Sequence, residues 1–476
     1  YIPSMLKRVK NQKYFIIIFS FMSNVHFISI GGSVMHSLAI SLKKIGYNVT
    51  GSDDKIYEPS LSQLKLHDLI PNSLGWDANN INNKIDFVIL GMHAKHDNPE
   101  LLKAQEIGLD IYSYPDFIFK VSKNKTRIVI GGSHGKTSIT SMILHVLKNN
   151  NINVDYVLGA QLDGFEDTVS LSDENEFIII EGDEYLSSPI DLSPKFLKYK
   201  ANIALISGIS WDHINVFESP DIYAKQFSSF IDTIVDGGVL VYNESDTIVK
   251  DIVLKNESFI RKIYYNLPDF KILNNKIFIN TDEGDIPLQI FGKHNLSNLE
   301  GARKICSLLG VFDNDFYNSI SSFSGASKRL QIIYNDKKNL LIRDFAHSPS
   351  KLTASVNAVS ETFTDTFIIC VYELHTFSSL NLDFISQYNG TLDNCDLPIV
   401  FIDKQNKKLD STNSINNEII SKAFGINNLI IIDNSNDLFT YLISMDYKNT
   451  CLLLMSSGNF GSMSIEKLKF HISNGN

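Results

Sequence analysis

The chain has 476 residues, which at roughly 150 per domain points to about three domains with sizeable cores. Hydrophobic residues make up 43% and charged residues 20%, a globular balance that excludes a disordered chain. The net charge of −10 excludes a broad basic surface for nucleic acid or anionic lipid, yet leaves room for local anion sites. Cys306, Cys370, Cys395 and Cys451 have neither zinc nor redox spacing, so a disulfide scaffold is not expected and a cytoplasmic protein is.

Residues 1–22 carry Lys7, Arg8, Lys10 and Lys13 ahead of the apolar run 14–22. That run is too short to span a bilayer and no small-residue cleavage site follows it, so no membrane insertion is expected. It reads as an N-terminal extension, with Met22 a candidate start. From Val25 onward, short apolar runs alternate with longer helical patterns. Strands are expected at 25–30, 47–51, 85–91 and 110–114, with helices near 34–45 and 99–108. A second series of strands covers 127–131, 177–181, 202–207 and 239–242. A third covers 340–345, 367–374, 399–403, 429–433 and 452–456. Polar stretches at 121–126, 244–257 and 311–325 punctuate the series, and no 20–50-residue repeat is present. The pattern implies three tandem α/β domains: a Rossmann-like domain at 23–124, a phosphate-loop domain at 125–324 and a second Rossmann-like domain from 325 to 476.

The strongest local signal is Arg127-Ile-Val-Ile-Gly131-Gly132-Ser133-His134-Gly135-Lys136-Thr137-Ser138 running into an apolar-periodic helix. Backbone N–H groups of such a turn face an anion, Lys136 supplies a point charge and Thr137 offers a hydroxyl to Mg²⁺. Ile130 stands where the usual pattern has its first glycine. Lys136 is expected to face solvent. Glu181-Gly182-Asp183-Glu184 clusters acids at a strand's carboxyl end, and Trp211-Asp212-His213 follows another strand. Near the amino terminus, Gly31-Gly32-Ser33-Val34-Met35 opens a helix and Asp53 closes the next strand, the layout of a phosphate turn and a ribose-binding acid. Downstream lie His294-Asn295-Leu-Ser-Asn298, Lys328-Arg329 and Arg343-Asp344-Phe-Ala-His347. Each of these is ordinary alone; their order is what informs.

The ordered set resembles the Mur ligase family, the ATP-dependent amide-forming enzymes of peptidoglycan assembly, over about Val25 to Gly461. The resemblance implies ATP and Mg²⁺ as cofactors. It makes Gly132, Ser133, His134, Gly135, Lys136, Thr137 and Ser138 the phosphate loop, and Asn295 and Asn298 the adenine contacts. Arg329 and Asp344 become inter-domain ATP contacts, and Thr137, Glu181 and His213 the Mg²⁺ ligands. Lys136, Glu181, His213, Arg329 and Asp344 form the implied catalytic set. Gly31, Gly32, Ser33, Met35 and Asp53 would hold a UDP-sugar. Lys225, twelve residues after His213, reads as a solvated helix lysine rather than a carbamylated metal ligand.

Asp97-Asn98-Pro99-Glu100-Leu101 resembles the family's UDP-N-acetylmuramate branch. The stretch Glu181-Gly-Asp-Glu184-Tyr185 through Lys195-Phe196 resembles its muropeptide-recycling members. The implied reaction joins the carboxylate of UDP-N-acetylmuramate to the amine of L-Ala-γ-D-Glu-meso-diaminopimelate through an acyl phosphate. His347, His375 and Asn459 are candidate contacts for that amine. L-alanine as the amine is the nearest alternative, and a catalytically silent UDP-sugar sensor is a second of a different class. The presence of Lys136, Glu181, His213 and Asp344 argues against the sensor; phosphate release with either amine separates all three.

Overall fold

Runs of β-branched and aliphatic residues with no polar alternation fold as strands buried on both faces, and three parallel sheets result. The computed structural model describes residues 23–162, 164–165, 167–211, 216–282, 284–336, 338–403 and 415–474. The expected extension at 1–22 and His213 lie outside the described residues. The first sheet has the spatial order Asn48–Ser52, Asn24–Ile28, Phe87–Leu90, Asp110–Ser113, all parallel. The central sheet has seven strands, with Thr126–Gly131 flanked by Ile203–Ile206 on one side and Phe177–Glu181 on the other. The third has six, and its parallel run includes Leu340–Asp344, Thr450–Met455, Phe367–Glu373 and Leu397–Phe401 in that spatial order. Antiparallel pairs occur at one edge of the central and of the third sheet. This is the three-domain α/β architecture that the sequence implies.

Two of the polar stretches are helices and not breaks. Thr247–Lys255 is capped by Asp246, whose carboxylate accepts from the Val249 N–H at 2.9 Å, and it buries Val249 and Val253. Asp313–Ile320 buries Phe316 and Ile320. In each case a single i, i+4 apolar pair supplies the core-facing stripe, too sparse to stand out among polar neighbours. An unanticipated three-stranded antiparallel sheet, Phe270–Leu273, Lys276–Thr281 and Gly284–Leu288, adds to the central domain.

The joint between the first two domains is organised by Arg127, 5% exposed, which donates to the carbonyls of Tyr199, Lys200, Ser122, Lys123 and Lys125 at 2.9–3.2 Å. The connecting turn therefore folds around one guanidinium, a five-donor fork that no other side chain reproduces. Arg127→Met leaves those carbonyls without their donor in a buried place, at a cost of about 3 kcal/mol. Thermal unfolding should show a melting temperature lower by roughly 6–12 °C; an unchanged value would show that water satisfies the carbonyls.

Candidate active site

The phosphate loop joins Thr126–Gly131 to the helix Lys136–Asn149, so the helix N-terminus and the loop amides point to one place. Gly132 (φ +132°) and Gly135 (φ +77°) take left-handed conformations, and a Cβ at either would collide with Ser207 or Asn298 respectively. The loop is thus glycine by close approach as well as by turn geometry. Lys136 does not face solvent as expected. Its ammonium, 15% exposed, bonds the Gly132 carbonyl and Oε2 of Glu184, both at 2.6 Å. Burial alone would lower its pKa, but Glu184 and Asp183 beside it hold it above the ordinary lysine value, so the ammonium stays charged. Glu184 is 1% exposed and also accepts from the Tyr223 hydroxyl at 2.8 Å. Sequence reasoning placed Glu184 in the acidic cluster without a role; its partner arrives from a helix 39 residues away.

The Thr137 hydroxyl donates to Oε1 of Glu181 at 2.8 Å, and Oε2 of Glu181 accepts from the Gly159 N–H at 3.1 Å. A hydroxyl and a carboxylate side by side at a phosphate loop are hard oxygen donors of the kind that Mg²⁺ takes. Among the described residues, no group of three or more His, Cys, Asp or Glu side chains is arranged to hold a metal. Lys225 is exposed on the helix Pro220–Asp232, as expected.

A cavity of about 570 Å³ between the central and third domains brings most of the nucleotide candidates together: the loop from Ser133 to Ser138, Glu181, Asn295, Asn298, Arg329, Asp344 and His347. Asp344, 7% exposed, accepts from the N–H groups of Leu330 (2.8 Å) and Ala346 (3.1 Å) and from the Ser355 hydroxyl (2.6 Å). Those bonds pin the turn carrying Arg329, whose neighbours Lys328 (φ +58°) and Leu330 (φ +44°) are both left-handed. The Arg329 guanidinium stacks on Phe345 at 4.5 Å and has no hydrogen-bond partner among the described residues, while its backbone N–H donates to the Ala326 carbonyl at 3.0 Å. Asn295 spends its amide on the Phe291 carbonyl at 3.0 Å. His134 reaches across to Ser350 at 2.7 Å, linking the phosphate loop to the third domain.

The first-domain candidates also converge. The Gly31 N–H donates to Oδ2 of Asp53 at 2.7 Å, and a Cβ on Gly31 would stand 3.0 Å from that oxygen. Asp53 is 4% exposed, so it holds the glycine turn, a partner the sequence does not indicate. Met35 is buried at the start of the helix Met35–Lys44, while Gly32 is half-buried and Ser33 exposed. Of the amine candidates, His347 lines the cavity and bonds the Phe345 carbonyl. His375 bonds Ser457 at 3.0 Å, and exposed Asn459 closes a turn onto Ser462; neither lines the cavity.

Lys136→Ala should lower turnover by on the order of 10²-fold or more, because the point charge at the phosphate loop is gone. It should also destabilise, since Glu184 is left charged and buried. Lys136→Ala combined with Glu184→Gln should recover the melting temperature but not the activity. Recovered activity would deny Lys136 its role.

A family model described as the Mur ligase middle domain matches residues 130–305, and one described as the Mur ligase family, catalytic domain, matches residues 24–126. The UDP-N-acetylmuramate–L-alanine ligase of Persephonella marina is 31% identical over 376 residues, covering 77% of this chain and 79% of its own. The protein of the same name from a Sulfurihydrogenibium species is 29% identical over 456 residues, covering 94% and 97%. Among solved structures, the UDP-N-acetylmuramate–alanine ligase of Thermotoga maritima has a TM-score of 0.68 at 20% identity, over 95% of this chain and 98% of its own. The murein peptide ligase of Psychrobacter arcticus has a TM-score of 0.63 at 20% identity, over 95% and 99%. With two family models covering its first and central domains, and a relative of that identity along most of its length, the chain belongs to the Mur ligase family of ATP-dependent, amide-bond-forming enzymes of peptidoglycan synthesis.

Proposed function

We propose that this enzyme uses ATP in the cytoplasm to join the carboxylate of UDP-N-acetylmuramate to the α-amine of L-Ala-γ-D-Glu-meso-diaminopimelate. A carboxylate is a poor electrophile, so it first takes the γ-phosphoryl group of ATP, releasing ADP; the amine then attacks the acyl phosphate, loses a proton and expels inorganic phosphate to leave the amide. Lys136 and Arg329 offset charge on the transferring phosphoryl group, the leading electrostatic term in such reactions. Thr137, Glu181 and His213 would hold Mg²⁺, which when bound neutralises phosphate charge. Asn298, Asp344 and the cavity wall orient the nucleotide, and contact between His134 and Ser350 keeps the two domains together so that water is excluded.

The observation that carries the choice of a peptide amine is a second cavity, about 320 Å³, with Asp403 and Lys467 on its wall. The loop 456–464 leads to it from the ATP site: Ser456 N–H donates to the Asp344 carbonyl at 3.0 Å, while Gly461 and Ser462 line the cavity. An extended tripeptide spans roughly 10 Å, and its far end carries both an ammonium and carboxylates, which opposite charges suit. L-alanine needs no such room. It remains the second reading because the curated relatives from Persephonella marina and Sulfurihydrogenibium carry the name of that reaction.

Purified enzyme with UDP-N-acetylmuramate and ATP, offered the tripeptide or L-alanine, decides the matter by phosphate release. The tripeptide should have the higher kcat/KM by at least about tenfold, roughly 1.4 kcal/mol of transition-state discrimination. A preference for L-alanine selects the second reading, and silence with both selects the catalytically silent sensor. In the same assay Asp53→Ala should raise the KM for UDP-N-acetylmuramate about fivefold or more and leave that for ATP unchanged, because Gly31 loses its acceptor in the first-domain turn. An equal loss for ATP would assign that turn to the other nucleotide.

A further inference from the structure

Lys195 stands apart from the nucleotide cavity and is placed with unusual care for a lysine. The segment that carries it is stitched to the acidic turn: Lys195 N–H donates to the Tyr185 carbonyl at 2.9 Å, and Phe196 N–H to that of Asp183 at 3.1 Å. Phe196 is fully buried and stacks on Phe230 with centroids 4.6 Å apart. The ammonium is 15% exposed, 2.6 Å from Oδ2 of Asp183, 5.6 Å from the Tyr114 ring centre and 5.9 Å from that of Tyr185.

Those neighbours locate it. Asp183 follows the carboxyl end of the central strand Phe177–Glu181 by two residues, and Tyr114 follows directly on the first-domain strand Asp110–Ser113. Ligands of parallel α/β sheets bind beyond the carboxyl ends of their strands. Lys195 therefore lies where that edge of one sheet faces that edge of the other, on the route from the first-domain turn to the phosphate loop. Glu184, next to Asp183 in the same turn, takes the ammonium of Lys136 at 2.6 Å, so one turn holds both Lys195 and the phosphate-loop lysine. An ammonium has three donors. Asp183 takes one, and the others have no acceptor among the described residues.

We propose that Lys195 binds the carboxylate of the sugar-nucleotide acid and makes the enzyme discriminate against the same sugar nucleotide without its lactyl group. The inference rests on the acid proposed above. A charge-assisted bond to this carboxylate is the one contact that UDP-N-acetylglucosamine does not offer, and the rings of Tyr114 and Tyr185 flank the place where the sugar lies. The competing view is that Lys195 only fastens the acidic turn through Asp183.

Equilibrium binding of UDP-N-acetylmuramate and UDP-N-acetylglucosamine separates the two views. Lys195→Met should weaken the first ligand at least about tenfold and leave the second within about twofold. The double variant Asp183→Asn/Lys195→Met, which leaves no unpaired charge, should stay as weak toward UDP-N-acetylmuramate, and Lys195→Arg should recover part of the binding. Equal weakening toward both ligands, or recovery in the double variant, would overturn the proposal. Wild-type enzyme that does not prefer UDP-N-acetylmuramate would refute the acid itself, a different failure.

Discussion

A cation that must meet a phosphate has to be charged and in position before the phosphate arrives. If Lys136 is that cation, as proposed, the buried bond between Lys136 and Glu184 meets the constraint. A bare lysine in a 15%-exposed site would lose its proton or swing away. Glu184 prevents both, and is itself held by Tyr223 from the helix Pro220–Asp232. The sheet order follows from this need. Phe177–Glu181 runs parallel beside Thr126–Gly131 with Glu181 opposite Ile130, so the acids leave their strand next to the loop. Gly182 makes the exit, donating to the Ile130 carbonyl at 2.8 Å, and a Cβ there would come within 2.7 Å of Val129.

The third domain solves the complementary problem of presenting an arginine without neutralising it. The fold brings Asp344 to the Arg329 turn, yet Asp344 spends its oxygens on Leu330, Ala346 and Ser355 and makes no bond to the guanidinium. It therefore fixes the Arg329 turn while Arg329 keeps its donors for a ligand. Two left-handed residues flank that arginine, each strained by about 1–3 kcal/mol, and such strain persists only where surrounding bonds over-determine it. Asp344 supplies those bonds.

Much of this was legible from residues alone. Every strand named from sequence exists, because runs such as Phe87–Leu90 and Ile203–Ile206 are buried on both faces and carry no ambiguous alternation. The phosphate loop was legible because Gly132 and Gly135 are the only residue type their φ and crowding admit. What escaped depends on contacts far apart in sequence. The helices Thr247–Lys255 and Asp313–Ile320 hide their apolar pairs among polar residues. Glu184 looked like one acid among several until Tyr223 and Lys136 closed on it. Asp53 suited a ribose by position, whereas its burial and its bond to Gly31 N–H give it a structural duty. His375 and Asn459 looked like anchors because polar loop residues always do; the geometry turns them toward Ser457 and Ser462.

The consecutive acids Asp183 and Glu184 show how one short turn can serve two ligands. Adjacent side chains on an extended segment point in different directions, and here each commits a different lysine: Glu184 takes Lys136 toward the phosphate loop, Asp183 takes Lys195 toward the first domain. On the proposed reading the two cations serve the two ends of the bond-forming space, Lys136 the phosphate of ATP and Lys195 the acid that receives it. Gly182 and Phe196 lock the same turn from either side, so the backbone sets where the two carboxylates that hold the cations leave it. A substitution that moved the turn would disturb both ligands together, whereas one that removed a single lysine together with its paired acid's charge would fall mainly on its own ligand. That separability is the physical reason why the roles of the two lysines can be told apart.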